Sequence, residues 1–185
     1  MSERNTPAVL KGPSIRAVPE GDDRERLVCP DCGYVAYDNP RIVVGSVVTW
    51  ENKIVLCRRD IPPRPGFWVV PAGYLELNET VEQGAVREAY EEARAKIEID
   101  SLMSVYNLPR ISQVQLFFRA RLLDPAIEAG PESQEVGLYA WDDIPWQDLA
   151  FPSVHWVLNH FRETEVSGDR TVCYNPPGET GDYLR

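Results

Sequence analysis

Three carboxylates spaced to meet on one helix face, Glu88, Glu91 and Glu92, are the residues of this chain best placed to do chemistry. At ~100° per residue they fall within about a third of a turn of one another. Like charges at such spacing weaken a bare helix, so the cluster calls for a compensating partner. Hard divalent cations such as Mg2+ or Mn2+ supply one, because they prefer oxygen ligands and accept shared carboxylates. A solvated acidic face is the plainer alternative, and the surrounding residues have to decide. Val81, Ala85, Ala89 and Ala93 form an adjacent stripe of mostly small residues, which lets this helix lie close against a sheet.

Periodicity shows the elements that must position the cluster. Thr80 to about Ala95 reads as a helix opened by a Thr80-x-x-Gln83 capping box. Ser153 to about Thr164 reads as a second, with Val154, Val157, Leu158 and Phe161 on one face. Strand-like runs cover Ile42 to Trp50 and Lys53 to Arg58, joined by a Glu51-Asn52 hairpin signal. Further runs cover Phe67 to Val70, Leu102 to Leu108, Val114 to Leu122 and Val136 to Trp141. Many strands and few helices predict an α+β domain around a mixed sheet. Three stretches follow: an irregular arm over 1–38, the periodic domain over 39–163, and a loosely packed tail over 164–185 rich in Gly and Pro breakers.

Composition narrows the partners. The 185 residues suit one domain with appendages, and 43% apolar content suits a folded one. A net charge of −10 without any Lys/Arg block predicts no nucleic-acid partner. Small anionic substrates remain compatible, since bound cations reverse the field locally. The apolar runs are too short to span a bilayer, and Met1 to Asn5 lacks a secretory h-region, so a cytoplasmic protein is expected.

The four cysteines divide. Cys29-Pro-Asp-Cys32-Gly is half of a zinc-ribbon site, and a closed zinc site wants four ligands. No second pair exists, Cys57 sits in an apolar run as a buried thiol, and Cys173 stands alone in the tail. His155 and His160 point apart on the second helix. Zinc is therefore not expected, unless the knuckles of two subunits share an ion across a homodimer.

Around the carboxylates stands Gly73-x5-Glu79-x7-Arg87-Glu88-x2-Glu91-Glu92, preceded by Pro71-Ala72. This resembles the signature of the Nudix hydrolase superfamily. One position departs: the family usually has Gly two residues after the last Glu, and this chain has Arg94. The resemblance implies an α/β/α sandwich and metal-dependent hydrolysis of a phosphoanhydride. It implies Glu88 and Glu92 as main metal ligands, with Glu91 and the Ala72 carbonyl completing the set. It implies a structural Glu79–Arg87 pair beside Gly73. In relatives of the ADP-ribose type a Glu from a later loop serves as base, which points to Glu132 or Glu135.

Val18-Pro-Glu-Gly-Asp-Asp-Arg-Glu-Arg-Leu-Val-Cys29-Pro-Asp-Cys32-Gly resembles the N-terminal zinc-ribbon segment of one Nudix branch, whose plant members include FAD and ADP-ribose pyrophosphatases. Leu149-Ala-Phe151-Pro-Ser153 strengthens that link. Where relatives carry the first Cys-x-x-Cys, this chain reads Pro7 to Leu10. The motif typical of NADH pyrophosphatases is absent, which lowers NADH as substrate. Trp68, Tyr74 and Phe151 are candidates for stacking on a substrate ring, and Arg58, Arg59 and Arg110 for meeting phosphate oxygens. A catalytically silent nucleotide sensor and a nucleoside-triphosphate housecleaning enzyme are the competing readings.

Overall fold

The computed structural model describes residues 12–181. The chain divides into two compact units, Met1–Asn39 and Pro40–Arg185.

The described part of the first unit, residues 12–39, contains strands rather than the irregular arm expected above. Strands β1 (Ile15–Ala17), β2 (Arg26–Val28) and β3 (Val35–Ala36) form a small antiparallel sheet. The knuckle is the turn between β2 and β3: Cys29 N–H donates to the Tyr34 carbonyl at 2.8 Å and Gly33 N–H to the Cys29 carbonyl at 2.9 Å. An Arg26–Asp22 pair at 3.0 Å ties β2 to the preceding turn.

In the second unit, β4 (Arg41–Trp50) and β5 (Lys53–Arg59) form the hairpin, turning at Glu51, whose φ is 53°. Two short strands follow, β6 (Trp68–Val69) beside β5 and β7 (Ala72–Tyr74) beside β4. Helix α1 (Val81–Ala93) leads into β8 (Ile97–Leu108), β9 (Gln113–Leu122) and β10 (Ser133–Ala140), and α2 (Pro152–Ser167) closes the fold. The main sheet runs β10-β5-β4-β9-β8; β4 and β9 are parallel and the other pairs antiparallel, so the sheet is mixed.

The two helices cover opposite faces. Neighbours on a strand point to opposite sides, and Phe117 and Phe118 of β9 show it. Phe118 packs with Val44 and Ala85 under α1. Phe117 meets Tyr106, whose ring stands edge-on to Trp156 of α2 at 5.4 Å. Ala85, Ala89 and Ala93 are fully buried, so the small stripe does bring α1 down onto the sheet.

The described part of the tail, to residue 181, packs on the domain rather than loosely. Helix α2 continues to Ser167, and beyond it Cys173 lies along β8, donating to the Met103 carbonyl and accepting from Val105 N–H, both at 2.9 Å. The Asn175 side chain bonds both the N–H and the carbonyl of Asn107 at 2.8 Å. Edge strand β8 offers unpaired main-chain groups, and the tail satisfies them.

Candidate active site

The site begins with the helix that carries the acids. Thr80 caps α1: its hydroxyl accepts from Gln83 N–H at 3.2 Å, and Gln83 Oε1 accepts from Thr80 N–H at 2.8 Å. At the far end Arg94 adopts the left-handed conformation, φ 51°, and its N–H closes the last turn on the Tyr90 carbonyl. That geometry explains a glycine at this position in relatives, since a residue with a Cβ adopts it at a cost.

Within this frame Glu88 and Glu92 are buried, on the side facing the β7 loop, while Glu91 is exposed. Glu92 Oε2 accepts from Ala72 N–H at 3.0 Å. Gly73 lies so close to the Glu88 carboxylate that any side chain at that position would collide with it. Burial raises the pKa of both acids. For Glu88 the Arg87 guanidinium opposes the rise. For Glu92, burial outweighs the Ala72 N–H and Arg59, Glu88 and Glu132 add to it, and the pKa reaches about 8.

Arg87 organises the rim. Its Nε and Nη2 meet the two Glu79 oxygens at 3.0 and 2.8 Å, and Nη2 also donates to the Tyr74 carbonyl at 2.9 Å. Nη1 reaches Glu88 at 2.7 Å and Glu91 at 2.9 Å. Glu79 accepts Glu76 N–H as well, and these bonds hold its carboxyl below the usual range. The loop leading out of β7 is thereby fastened to α1 by one guanidinium.

A second loop closes the site from the end of α1. Glu128 N–H donates to the Ala93 carbonyl and Gly130 N–H to the Glu92 carbonyl, each at 3.0 Å. Gly130 passes so near the Glu91 carbonyl that a side chain there has no room. This docking brings Glu132 near enough for its charge to raise the pKa of both Glu88 and Glu92. Glu135 goes elsewhere: it lies opposite Arg58 in the β10–β5 ladder, with an ion pair at 3.8 Å.

The proposed substrate contacts separate in the same way. Trp68 belongs to the core, edge-on to Tyr139 at 5.1 Å, because Leu149 covers the strand it sits on; it is not a stacking surface. Tyr74 is exposed, its hydroxyl accepting from Arg41 at 3.2 Å and Gln113 at 3.1 Å. Arg110 lies in the 3-10 turn Pro109–Ile111 between β8 and β9. Arg58 donates to the Gly66 carbonyl. Arg59 stands over the half-buried Phe151 ring at 5.3 Å. Cys57 is buried near Glu92, and burial raises its thiol pKa. Sequence reasoning passed over Arg41 and Gln113, which sit at strand starts and acquire their place only through sheet register.

The donor set suits a hard divalent cation. All side-chain donors are carboxylate oxygens, and two of them are held out of water beside one another with their proton affinity raised. Among the described residues no three His, Cys, Asp or Glu side chains converge closely enough to hold an ion as they stand, since Arg87 draws Glu88 and Glu91 to itself.

The comparisons with known proteins give the family. The NUDIX domain family matches residues 39–160. The chain belongs to the Nudix family. It is thus a Nudix hydrolase, a pyrophosphohydrolase. The Nudix N-terminal zinc-ribbon family matches residues 11–38. A crystallographically solved Nudix hydrolase of Nitrosomonas europaea is 46% identical, with a TM-score of 0.84 over 88% of this chain and 93% of that one. An ADP-ribose pyrophosphatase of Methanocaldococcus jannaschii is 29% identical over 70% of this chain and 78% of its own length. The NAD-capped RNA hydrolase NudC of Pseudomonas aeruginosa is 31% identical over 70% of this chain, which spans only 44% of that protein. Among the described residues no helix is long and apolar enough to cross a membrane.

Proposed function

We propose that this Nudix hydrolase cleaves, with Mg2+ or Mn2+, the diphosphate linkage of a nucleoside diphosphate derivative, ADP-ribose foremost, releasing a nucleoside monophosphate. The observation that carries this is the pair of buried carboxylates, Glu88 and Glu92, packed against Ala72 and Gly73 of β7 with Glu132 brought in from a separate loop. Glu88 and Glu92, joined by Glu91, are the residues that would hold the cations. The Ala72 carbonyl is a further donor, since an extended residue points its N–H and its carbonyl to the same side and the Ala72 N–H reaches Glu92. Bound there, divalent ions neutralise the diphosphate, polarise its P–O bonds and acidify water.

The protein's own groups do the rest. Glu132 is the acid placed to take a proton from the attacking water, whereas Glu135 is occupied by Arg58. Arg87 keeps the β7 loop in register with α1 through Glu79. Arg59 adds positive charge at the edge of the site for a phosphate oxygen. The similarity to an ADP-ribose pyrophosphatase over most of its length supports the substrate class. FAD belongs to the same chemical class and is the second substrate to try.

The test is a panel of ADP-ribose, FAD, NADH and nucleoside triphosphates, each with Mg2+ and with Mn2+, resolved by chromatography. AMP released from ADP-ribose is the expected result. Hydrolysis of triphosphates alone overturns the substrate class. Tight nucleotide binding without turnover favours the silent sensor.

A further inference from the structure

We propose that the cavity of about 430 Å3 between the loop after β5 and the first half of α2 receives the planar ring of the substrate's nucleoside. This rests on the diphosphate-hydrolase reading above. Phe151, His155 and Asn159 recur every four residues and so form one ridge of α2 along the cavity. Trp156 lines it beside them, and Arg64 supplies the opposite wall.

Arg59 joins this cavity to the carboxylate centre. Its Nε donates to the Pro63 carbonyl at 3.0 Å and Nη2 to the Ile61 carbonyl at 3.4 Å, which fixes the loop that forms the wall. The same guanidinium covers one face of Phe151 and acts on Glu92. A ligand whose ring lies against Phe151 therefore has its phosphates on the Arg59 side, toward the acids. The Leu-Ala-Phe-Pro-Ser segment gains a purpose here. Leu149 bridges to Trp68, and Ala150 N–H donates to the Trp68 carbonyl at 2.9 Å, fastening Phe151 beside the strand that runs on into Ala72.

The lining chemistry suits a nucleobase. The half-buried Phe151 ring offers a stacking face, the Asn159 amide offers a donor and an acceptor, and the His155 ring nitrogens offer further polar contacts. The larger cavity, about 530 Å3, is lined by residues of opposite charge such as Glu98 with Arg121 and Glu165 with Arg119, and contains none of the site acids.

Steady-state kinetics on Phe151→Leu and Asn159→Ala test the assignment. With ADP-ribose, KM should rise about tenfold for the first and about threefold for the second, with kcat within about twofold, as expected when ring stacking is weakened. Hydrolysis of a ribose diphosphate lacking a base should not change. Asn159 is exposed, so its variant keeps the test independent of folding. Calorimetry of AMP binding in Mg2+ should show the same order of weakening. Unchanged KM and AMP affinity in both variants, or an equal loss on the base-free compound, overturns the proposal. A wild type that turns over no diphosphate, while both variants still weaken AMP, leaves the cavity assignment standing and sinks the hydrolase reading.

Discussion

Among the described residues, two places gather side chains that metals favour, and they differ in what surrounds them. On α1, Glu88 and Glu92 are buried and supported from three directions: the start of β7 at Ala72 and Gly73, the Arg87–Glu79 pair and the loop docked at Gly130. In the arm, Cys29 is buried and the Asp31 and Cys32 N–H groups lower its thiol pKa, so the turn keeps the form of a metal knuckle. Cys32 is exposed, and the stretch that aligns with the first Cys-x-x-Cys of the resembling branch, Pro7 to Leu10, lies outside the described residues and contains no cysteine. The difference teaches where support comes from: the acids of α1 are braced by segments distant in sequence, whereas the arm's small sheet is joined by local backbone pairing and the Asp22–Arg26 contact.

The sharpest break of this comparison is Glu92→Gln. Losing one carboxylate from the α1 cluster removes charge neutralisation and water activation together, so kcat should fall at least ~10²-fold with the fold intact. Circular dichroism and saturating-metal kinetics check it.

Arg87→Ala comes next. The substitution strands Glu79 and frees the β7 loop, costing about 2 kcal/mol in charged hydrogen bonds, or roughly 4–8 °C in Tm for a chain of this size. Activity should fall with it, by about tenfold. A variant that melts normally but loses metal affinity alone would assign Arg87 a direct role in catalysis.

The arm should respond far less. Purified protein should carry less than about one zinc per two chains, as half a ligand set predicts, and the double variant Cys29→Ser, Cys32→Ser should keep activity within about twofold. Stoichiometric zinc lost together with dimerisation on chelation would show a site shared between two subunits instead.

The smallest effect is a gain. Arg94→Gly should stabilise the protein by about 1 kcal/mol, because glycine adopts the left-handed end of α1 without a Cβ penalty. A thermal melt reads the change, and an unaltered or lower Tm would mean that Arg94, whose guanidinium stands 5.3 Å from the Tyr90 ring, offsets the strain through that contact.

What was legible in the sequence was local. The capping box at Thr80, the alanine stripe of α1 and the hairpin at Glu51-Asn52 are patterns within a few residues, and the structure contains each of them. The first half of β8 was missed, although Ile97-Glu98-Ile99-Asp100 alternates as an edge strand should. What lay beyond reach was long-range. Nothing near Glu128 to Ser133 in sequence announces that this loop caps α1, so Glu132 and Glu135 could not be separated. A register shift between Ser133 and Glu135 sends the latter to Arg58. The docking of the tail on β8 was hidden for the same reason, since Cys173 and Ser104 meet only after the sheet has formed. Trp68 misled because an aromatic near a signature loop looks the same in sequence whether it faces a ligand or the core.

In the proposed function the buried acids of α1 require a cation, and Mn2+ binding to the metal-free protein measures this most directly. With a pKa of about 8, Glu92 is mostly protonated near neutral pH, and its raised value means the metal-free fold loses stability as pH rises from about 4.5 through about 8. A cation must displace that proton. Titration at pH 7, followed by electron paramagnetic resonance for free Mn2+ and by a weak buffer dye for protons, should show saturable binding with release of about one proton, dwindling by pH 9. Glu92→Gln should abolish both the tight binding and the proton release. Tight Mn2+ binding that survives Glu92→Gln with its proton release unchanged would contradict the site described here.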